Sequence, residues 1–158
     1  YYHYGIRKRP LAEKLFGIFE HEVLRPSNPL VRGFDDRFFV PHSRHTGLNL
    51  KDLAAVPAIR VLASGRRTGP FLLSTESVTG HPEYDLFTLD AEYRRDLEKG
   101  LEISVPENYY PSDDPAQRPI NRWRSHAHLL YHNWLNYYVY QTTPYDLEEL
   151  SPLAGEPR

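Results

Sequence analysis

From Leu15 to Val23 the chain alternates in strict order. Leu15, Gly17, Phe19, His21 and Val23 fall on one side of an extended backbone, Phe16, Ile18, Glu20 and Glu22 on the other. A period of two cannot present the apolar stripe of a helix, so this run reads as a half-buried strand that needs a sheet around it. Arg37 to Val40 forms a second short strand ending at Pro41. Ala58–Ala63 and Pro70–Ser74, joined by the turn Gly65-Arg66-Arg67-Thr68-Gly69, read as antiparallel partners. Val78-Thr79-Gly80 is the short end of a further strand. The spacing then changes: Trp123, Ala127, Leu130, Trp134 and Tyr138 recur every three to four residues and predict a long amphipathic helix over 122–140. Asp90 is placed to cap a shorter helix with Tyr93 and Leu97 facing inward and Gly100 as its stop. Residues 101–121, with four prolines, read as an ordered irregular loop, and Thr143-Pro144 opens a last short helix with Leu147 and Leu150 facing in. Strands followed by helices make this an α/β chain.

At 158 residues the chain suits one domain with one core. Lys and Arg number 19 against 21 Asp and Glu, so no basic field exists to hold nucleic acid or anionic lipid. No run approaches the roughly 20 apolar residues of a membrane helix, and no signal-peptide pattern opens the chain. We read it as soluble and cytoplasmic. With no cysteine, a disulfide framework and a thiolate metal site are both excluded. The chain also lacks methionine and opens at Tyr1, where Tyr1-Tyr2-His3-Tyr4-Gly5 resembles the last turn of a helix stopped by glycine. The expectation is a piece of a longer protein.

Gly80-His81-Pro82-Glu83-Tyr84-Asp85 carries the most chemistry, because it sets an imidazole and a carboxylate two apart at a strand end. Side chains at i and i+2 of an extended segment point the same way. The carboxylate could hold the ring in one tautomer while its other nitrogen takes a proton from a nucleophile. Spacing alone leaves a plain surface hydrogen bond open as the commoner outcome. His42-Ser43-Arg44-His45 falls just beyond a strand end, where loops carry function. The aromatics between Trp123 and Tyr140 could imitate a base-stacking surface, but their helical spacing and the charge balance favour core packing. His126, His128 and His132 lack the nearby glutamate of a zinc motif, so no metal is assigned.

The run Val78-Thr79-Gly80-His81-Pro82-Glu83-Tyr84-Asp85 resembles the hallmark of the homoserine O-acyltransferases, the homoserine transsuccinylase and transacetylase family. Pro10-Leu11-Ala12-Glu13-Lys14-Leu15-Phe16-Gly17, Arg32-Gly33-Phe34-Asp35-Asp36, Pro41-His42-Ser43-Arg44, Trp123-Arg124-Ser125-His126 and Asn133–Gln141 match in the same order. The resemblance implies a three-layer, class I glutamine amidotransferase-like (flavodoxin-like) sheet with helices on both faces, of which residues 1–158 would be the C-terminal part of a single catalytic domain. It implies a Cys-His-Glu triad with His81 as base and Glu83 as its orienting acid, and Lys14, Ser43 and Arg95 as substrate contacts. L-homoserine would be acylated from acetyl-CoA or succinyl-CoA as co-substrate, with no further cofactor, in a homodimer serving methionine biosynthesis. Beside these, Glu92 lies one helical turn before Arg95 and could pair with it, while Arg44 and His42 flank Ser43 and could line the same pocket.

The resemblance also exposes gaps. The family's nucleophilic cysteine falls upstream of the position matching Tyr1, with the oxyanion hole and the acyl-selecting residues. The stretch between Leu73 and Val78 is several residues shorter than the family's. Ser43-Arg44-His45-Thr46 is closer to the acetyl-using members, though the donor stays open. A non-catalytic binding fragment and a glutamine amidotransferase-like cysteine hydrolase remain as alternatives.

Overall fold

The computed structural model describes residues 4–75 and 78–142. Strands β1 (Arg9–Val23), β2 (Arg37–Gly47), β3 (Val61–Gly65) and β4 (Gly69–Leu73) form one sheet in the order β2-β1-β3-β4, every pairing antiparallel. With them run helices α1 (Leu50–Ala54), α2 (Thr88–Glu98) and α3 (Arg124–Trp134), the last continuing through a π turn at Leu135–Val139 into the short α4 (Tyr140–Thr142). The chain is therefore α/β. Residues 1–3 of the helix-like opening, residues 76 and 77 between Leu73 and Val78, and the helix expected from Thr143 lie outside the described residues.

β1 starts earlier than its alternation predicts: Arg9 pairs with Gly47 and Pro10 with Thr46, followed by an irregularity before Leu15 resumes pairing with Arg44. Its middle is buried on both faces rather than one, because each face has its own cover. On one side Phe16 and Ile18 meet Leu89 and Tyr93 of α2 together with Trp123, Tyr109 and Tyr110. On the other, Phe38, Val40, Leu62 and Phe71 are closed by Leu30, Val31 and by Leu130 of α3. Each such fully buried apolar side chain contributes about 1.5–3 kcal/mol of transfer free energy. Since Ala127 belongs to the first cluster and Leu130 to the second, α3 straddles the outer edge of β2. Among the described residues no helix is long and apolar enough to cross a membrane.

β2 also runs further than expected, through Pro41 to Gly47, so His42–His45 is strand and not loop. Pro41 is tolerated because β2 is an edge strand: the Pro41 carbonyl faces away from β1 and accepts from His81 N at 2.9 Å, so its missing N–H would also have faced outward. In α2 the start is Thr88, not Asp90. Asp85 caps the approach by accepting from Phe87 N at 2.7 Å, which frees the Asp90 carboxylate to accept from Arg94 and Tyr110. Tyr93 faces inward as expected, whereas Leu97 is exposed.

Residues 78–81 tie the two sheet edges together. Val78 bridges Leu72, Thr79 N donates to Phe71 O at 3.0 Å on β4, and His81 N reaches β2. The sheet thus curls until Phe71 lies 5.0 Å from the His21 ring and 5.7 Å from that of Phe38, centroid to centroid. A second close approach fixes β1: Gly17, at φ 141°, lies against Glu107, whose N donates to Phe16 O at 3.0 Å and whose carbonyl accepts from Ile18 N at 2.8 Å.

Candidate active site

His81 and Glu83 are joined by a β-turn rather than by an extended segment. Tyr84 N donates to His81 O at 3.2 Å, with Pro82 at the second turn position where its fixed φ is favoured. The turn folds the glutamate back so that its carboxylate sits 2.9 Å from His81 Nδ1. A carboxylate at this distance accepts the Nδ1 proton and leaves Nε2 with its lone pair free to act as a base. Among the described residues Nε2 has no protein partner. The ring also stacks on Tyr84, centroids 4.4 Å apart and planes 12° from parallel. Trp123 Nε1 donates to Tyr84 O at 2.9 Å, so a fully buried indole holds the end of the turn.

Gly80 is what lets this turn approach the sheet. A Cβ there would lie 2.6 Å from Val40 Cγ1 and 3.0 Å from His42 Cε1, inside normal contact distance. His81 then lines a cavity of about 380 Å³ with Tyr4, Arg44 and Thr79. Tyr4 is therefore brought to the same cavity as the imidazole.

A second constellation forms on the other face of β1 and β2, beside α2. Phe16 pairs with Ser43, so Lys14, two residues earlier on β1, shares their face. Lys14 Nζ lies 2.7 Å from Glu92 Oε1 and Ser43 Oγ donates to the same oxygen at 2.6 Å. Lys14, Ser43, Glu92 and Arg95 are thus brought together, with Glu92 as the hub. Arg95 makes the expected ion pair with Glu92, at 3.9 Å, and a closer contact with Asp96, its Nε donating to Oδ1 at 2.8 Å. Asp96, a buried carboxylate 3.9 Å from Lys14, is a member that no spacing in the sequence announced. Tyr84 links the two constellations, because burial, then the charge of Glu92 and that of Glu83, hold its hydroxyl pKa above the usual value.

Arg44 and His42 do not line the Ser43 pocket. Successive strand residues point to opposite faces, so both turn toward the curled interior with His21. There Arg44 Nε donates to His42 Nδ1 at 3.1 Å, and His42 Nε2 meets His21 Nε2 at 3.2 Å. Since His42 Nδ1 accepts, its Nε2–H is the donor to His21, and His21 Nδ1–H donates to Phe19 O at 3.0 Å. Thr68 Oγ1 lies 2.8 Å from His21 Nε2 and completes the set. Burial is the main cause that pulls His21 down to about 4 and His42 to about 2, so both rings are neutral at physiological pH. His126, one of the three histidines weighed for metal, instead faces Asp35 at 3.1 Å and packs between Phe34 and Phe38.

These features define an α/β domain that presents a carboxylate-oriented histidine at the rim of a sheet, beside a charged cluster on the neighbouring helix. The family model of homoserine O-succinyltransferase matches residues 1–145, and the chain belongs to that family. Curated relatives carry the name homoserine O-acetyltransferase. One from Acetivibrio thermocellus is 54% identical over 155 residues, covering 95% of this chain and 51% of its own length. Another from Lachnoclostridium phytofermentans is 55% identical over 152 residues, covering 93% and 50%. The chain spans about half the length of the curated relatives it matches. Among solved structures, that of SMU.1228c superimposes with a TM-score of 0.56 at 16% identity, over 82% of this chain and 55% of that one, a likeness of fold alone.

Proposed function

We propose that the protein acylates the hydroxyl of L-homoserine from an acyl-CoA, acetyl-CoA or succinyl-CoA, in methionine biosynthesis, and that residues 1–158 are the C-terminal part of its single catalytic domain. The observation that carries this reading is the 2.9 Å contact between His81 Nδ1 and Glu83 within a chain of this family. The nucleophile would be a cysteine supplied from outside this chain. His81 Nε2 takes the thiol proton, the thiolate attacks the thioester carbonyl, and the coenzyme A thiolate leaves and is protonated by the imidazolium. In the second half the same nitrogen takes the proton of the homoserine hydroxyl, whose oxygen attacks the acyl-cysteine, and the cysteine sulfur leaves. Glu83 keeps the ring in the productive tautomer and stabilises its charged form.

The cluster around Glu92 supports an amino-acid subsite. The half-exposed Arg95 guanidinium offers a planar fork to an α-carboxylate, and the Glu92 carboxylate is charge-matched to an α-amino group, with Lys14 and Ser43 fixing Glu92. The full-length protein fits a three-layer, class I glutamine amidotransferase-like scaffold, and we place it in the cytoplasm as a homodimer. The test is to incubate full-length protein with acetyl-CoA or succinyl-CoA and weigh the intact protein. An increment of one acyl group, discharged by homoserine and lost in His81→Ala, is expected. Glutamine hydrolysis in place of acyl transfer, or full transfer by His81→Ala, would refute the proposal.

A further inference from the structure

The cavity beside His81 carries no carboxylate among its described lining residues. Its apolar wall is made by Ile6, Leu53, Ile59 and Leu73, all buried, and its cationic side by Arg44, with Lys8 at the rim. Arg44 is half-buried, and every one of its nitrogens is tethered by a neutral acceptor. Nε donates to His42 Nδ1 at 3.1 Å, Nη1 to Thr46 O at 2.8 Å and Nη2 to Thr68 O at 2.5 Å. A guanidinium has five N–H groups, so two are left over. Among the described residues no carboxylate lies within ion-pair distance of it. Burial lowers its pKa.

A desolvated cation without a counter-charge is expensive to keep, and the surroundings of Arg44 are built to keep it in place. The neutral His42–His21 pair, anchored on Phe19 O, supplies the lone pair that Nε needs and cannot compete for the charge. We propose that Arg44, aimed into the His81 cavity by this buried histidine pair, binds an oxyanion, a carboxylate or a phosphate, borne on a partly apolar ligand whose other end reaches His81. This deepens the proposed function, since it rests on the cavity receiving the acyl donor. The oxyanion has two sources within that chemistry: the free carboxylate of a dicarboxylic acyl group, or a phosphate of coenzyme A.

The experiment measures binding calorimetrically on the full-length protein and on Arg44→Gln, with coenzyme A, pantetheine, and the succinyl and acetyl thioesters of pantetheine as probes. Loss of a charge-assisted bidentate contact lowers affinity by roughly tenfold or more. A loss confined to coenzyme A, with pantetheine unchanged, supports the phosphate source. A loss confined to the succinyl thioester, with the acetyl thioester unchanged, supports the acyl carboxylate. Equal affinities of wild type and a folded Arg44→Gln for all four probes would overturn the proposal. Should that variant fail to fold, arginine modification of the wild type by phenylglyoxal decides, with Arg44 followed by peptide mass: protection by coenzyme A or the succinyl thioester is expected, and modification undiminished by either overturns it. Arg44-dependent binding in a protein that never acylates homoserine would sink the proposed function and leave this site standing.

Discussion

Replacing Gly80 by alanine adds one methyl group at the point where the turn that carries His81 and Glu83 meets the sheet. That methyl would lie 2.6 Å from Val40 Cγ1 and 3.0 and 3.1 Å from Cε1 and Nε2 of His42. Neither neighbour can yield. Val40 is a buried β-branched side chain with one favoured rotamer, and His42 is fully buried and pinned between Arg44 and His21. The segment 78–81 must therefore lift away, lengthening the 2.9 Å bond from His81 N to Pro41 O until it no longer holds. Overpacking costs about 1–3 kcal/mol and the lost bond about 1 kcal/mol more. At roughly 1.5 °C per kcal/mol for a protein about twice this length, the melting temperature should fall by about 3–6 °C. Because His81 moves with the turn by about 1 Å, kcat/KM for acyl transfer should drop by about 10²-fold. Gly100→Ala is the control: its φ of 68° strains an alanine by roughly 1–2 kcal/mol, but nothing lies within 4 Å, so stability falls while activity per folded molecule holds. Both quantities are read from a thermal melt and from initial rates of the full-length protein. A Gly80→Ala variant with the wild-type melting temperature and rate would refute the claim that this contact sets the position of His81.

Gly17→Ala should be more damaging, by more than about 3 kcal/mol, since its Cβ would lie 2.5 and 2.9 Å from N and Cα of Glu107 at a φ of 141°; a denaturant midpoint unchanged from wild type would contradict the strand-to-loop contact. Glu83→Gln should leave the melt within about 0.5 kcal/mol of wild type, its side chain being half-exposed, yet reduce kcat by about 10²-fold or more; unimpaired turnover would remove Glu83 from the mechanism. The buried histidine pair predicts an acid-labile fold. Both rings have folded pKa values below the ordinary 6.5, so the unfolded chain binds more protons, and the stability they confer is complete above about pH 6.5 and erodes as pH falls toward 4, by roughly 1 kcal/mol per pH unit for each ring. Guanidinium melts at pH 7.5 and 5 on wild type and His21→Phe measure this: a wild-type midpoint that does not move, or one that moves as much in the variant, would exclude the pair as the cause.

The hairpin of β3 and β4 was legible because Gly65 and Gly69 punctuate two short apolar runs, and the family was legible because its blocks keep their order. What stayed hidden lies where tertiary structure overrides local rules. Pro41 reads as a strand terminator, yet β2 passes through it because its outward-facing edge needs no N–H there. Asp90 reads as a cap, but Tyr110 and Arg94 claim its carboxylate. His21 was one member of an alternating run, and nothing in its neighbourhood in sequence marks the partner it finds 21 residues later in His42. Lys14, Ser43 and Arg95 were named by resemblance alone; the register of β1 against β2 and the face of α2 are what join them. Arg44 takes the side opposite to Ser43, which the sequence conceals because alternation cannot be counted through Pro41, a residue that reads as the end of the strand.

Ser43 and Arg44 occupy adjacent codons and serve opposite faces of one strand. With the roles proposed above, variation at one would retune recognition of one reactant without disturbing the pocket for the other, so that lineages, or an engineer with a two-codon library, would exchange donor and acceptor preferences separately.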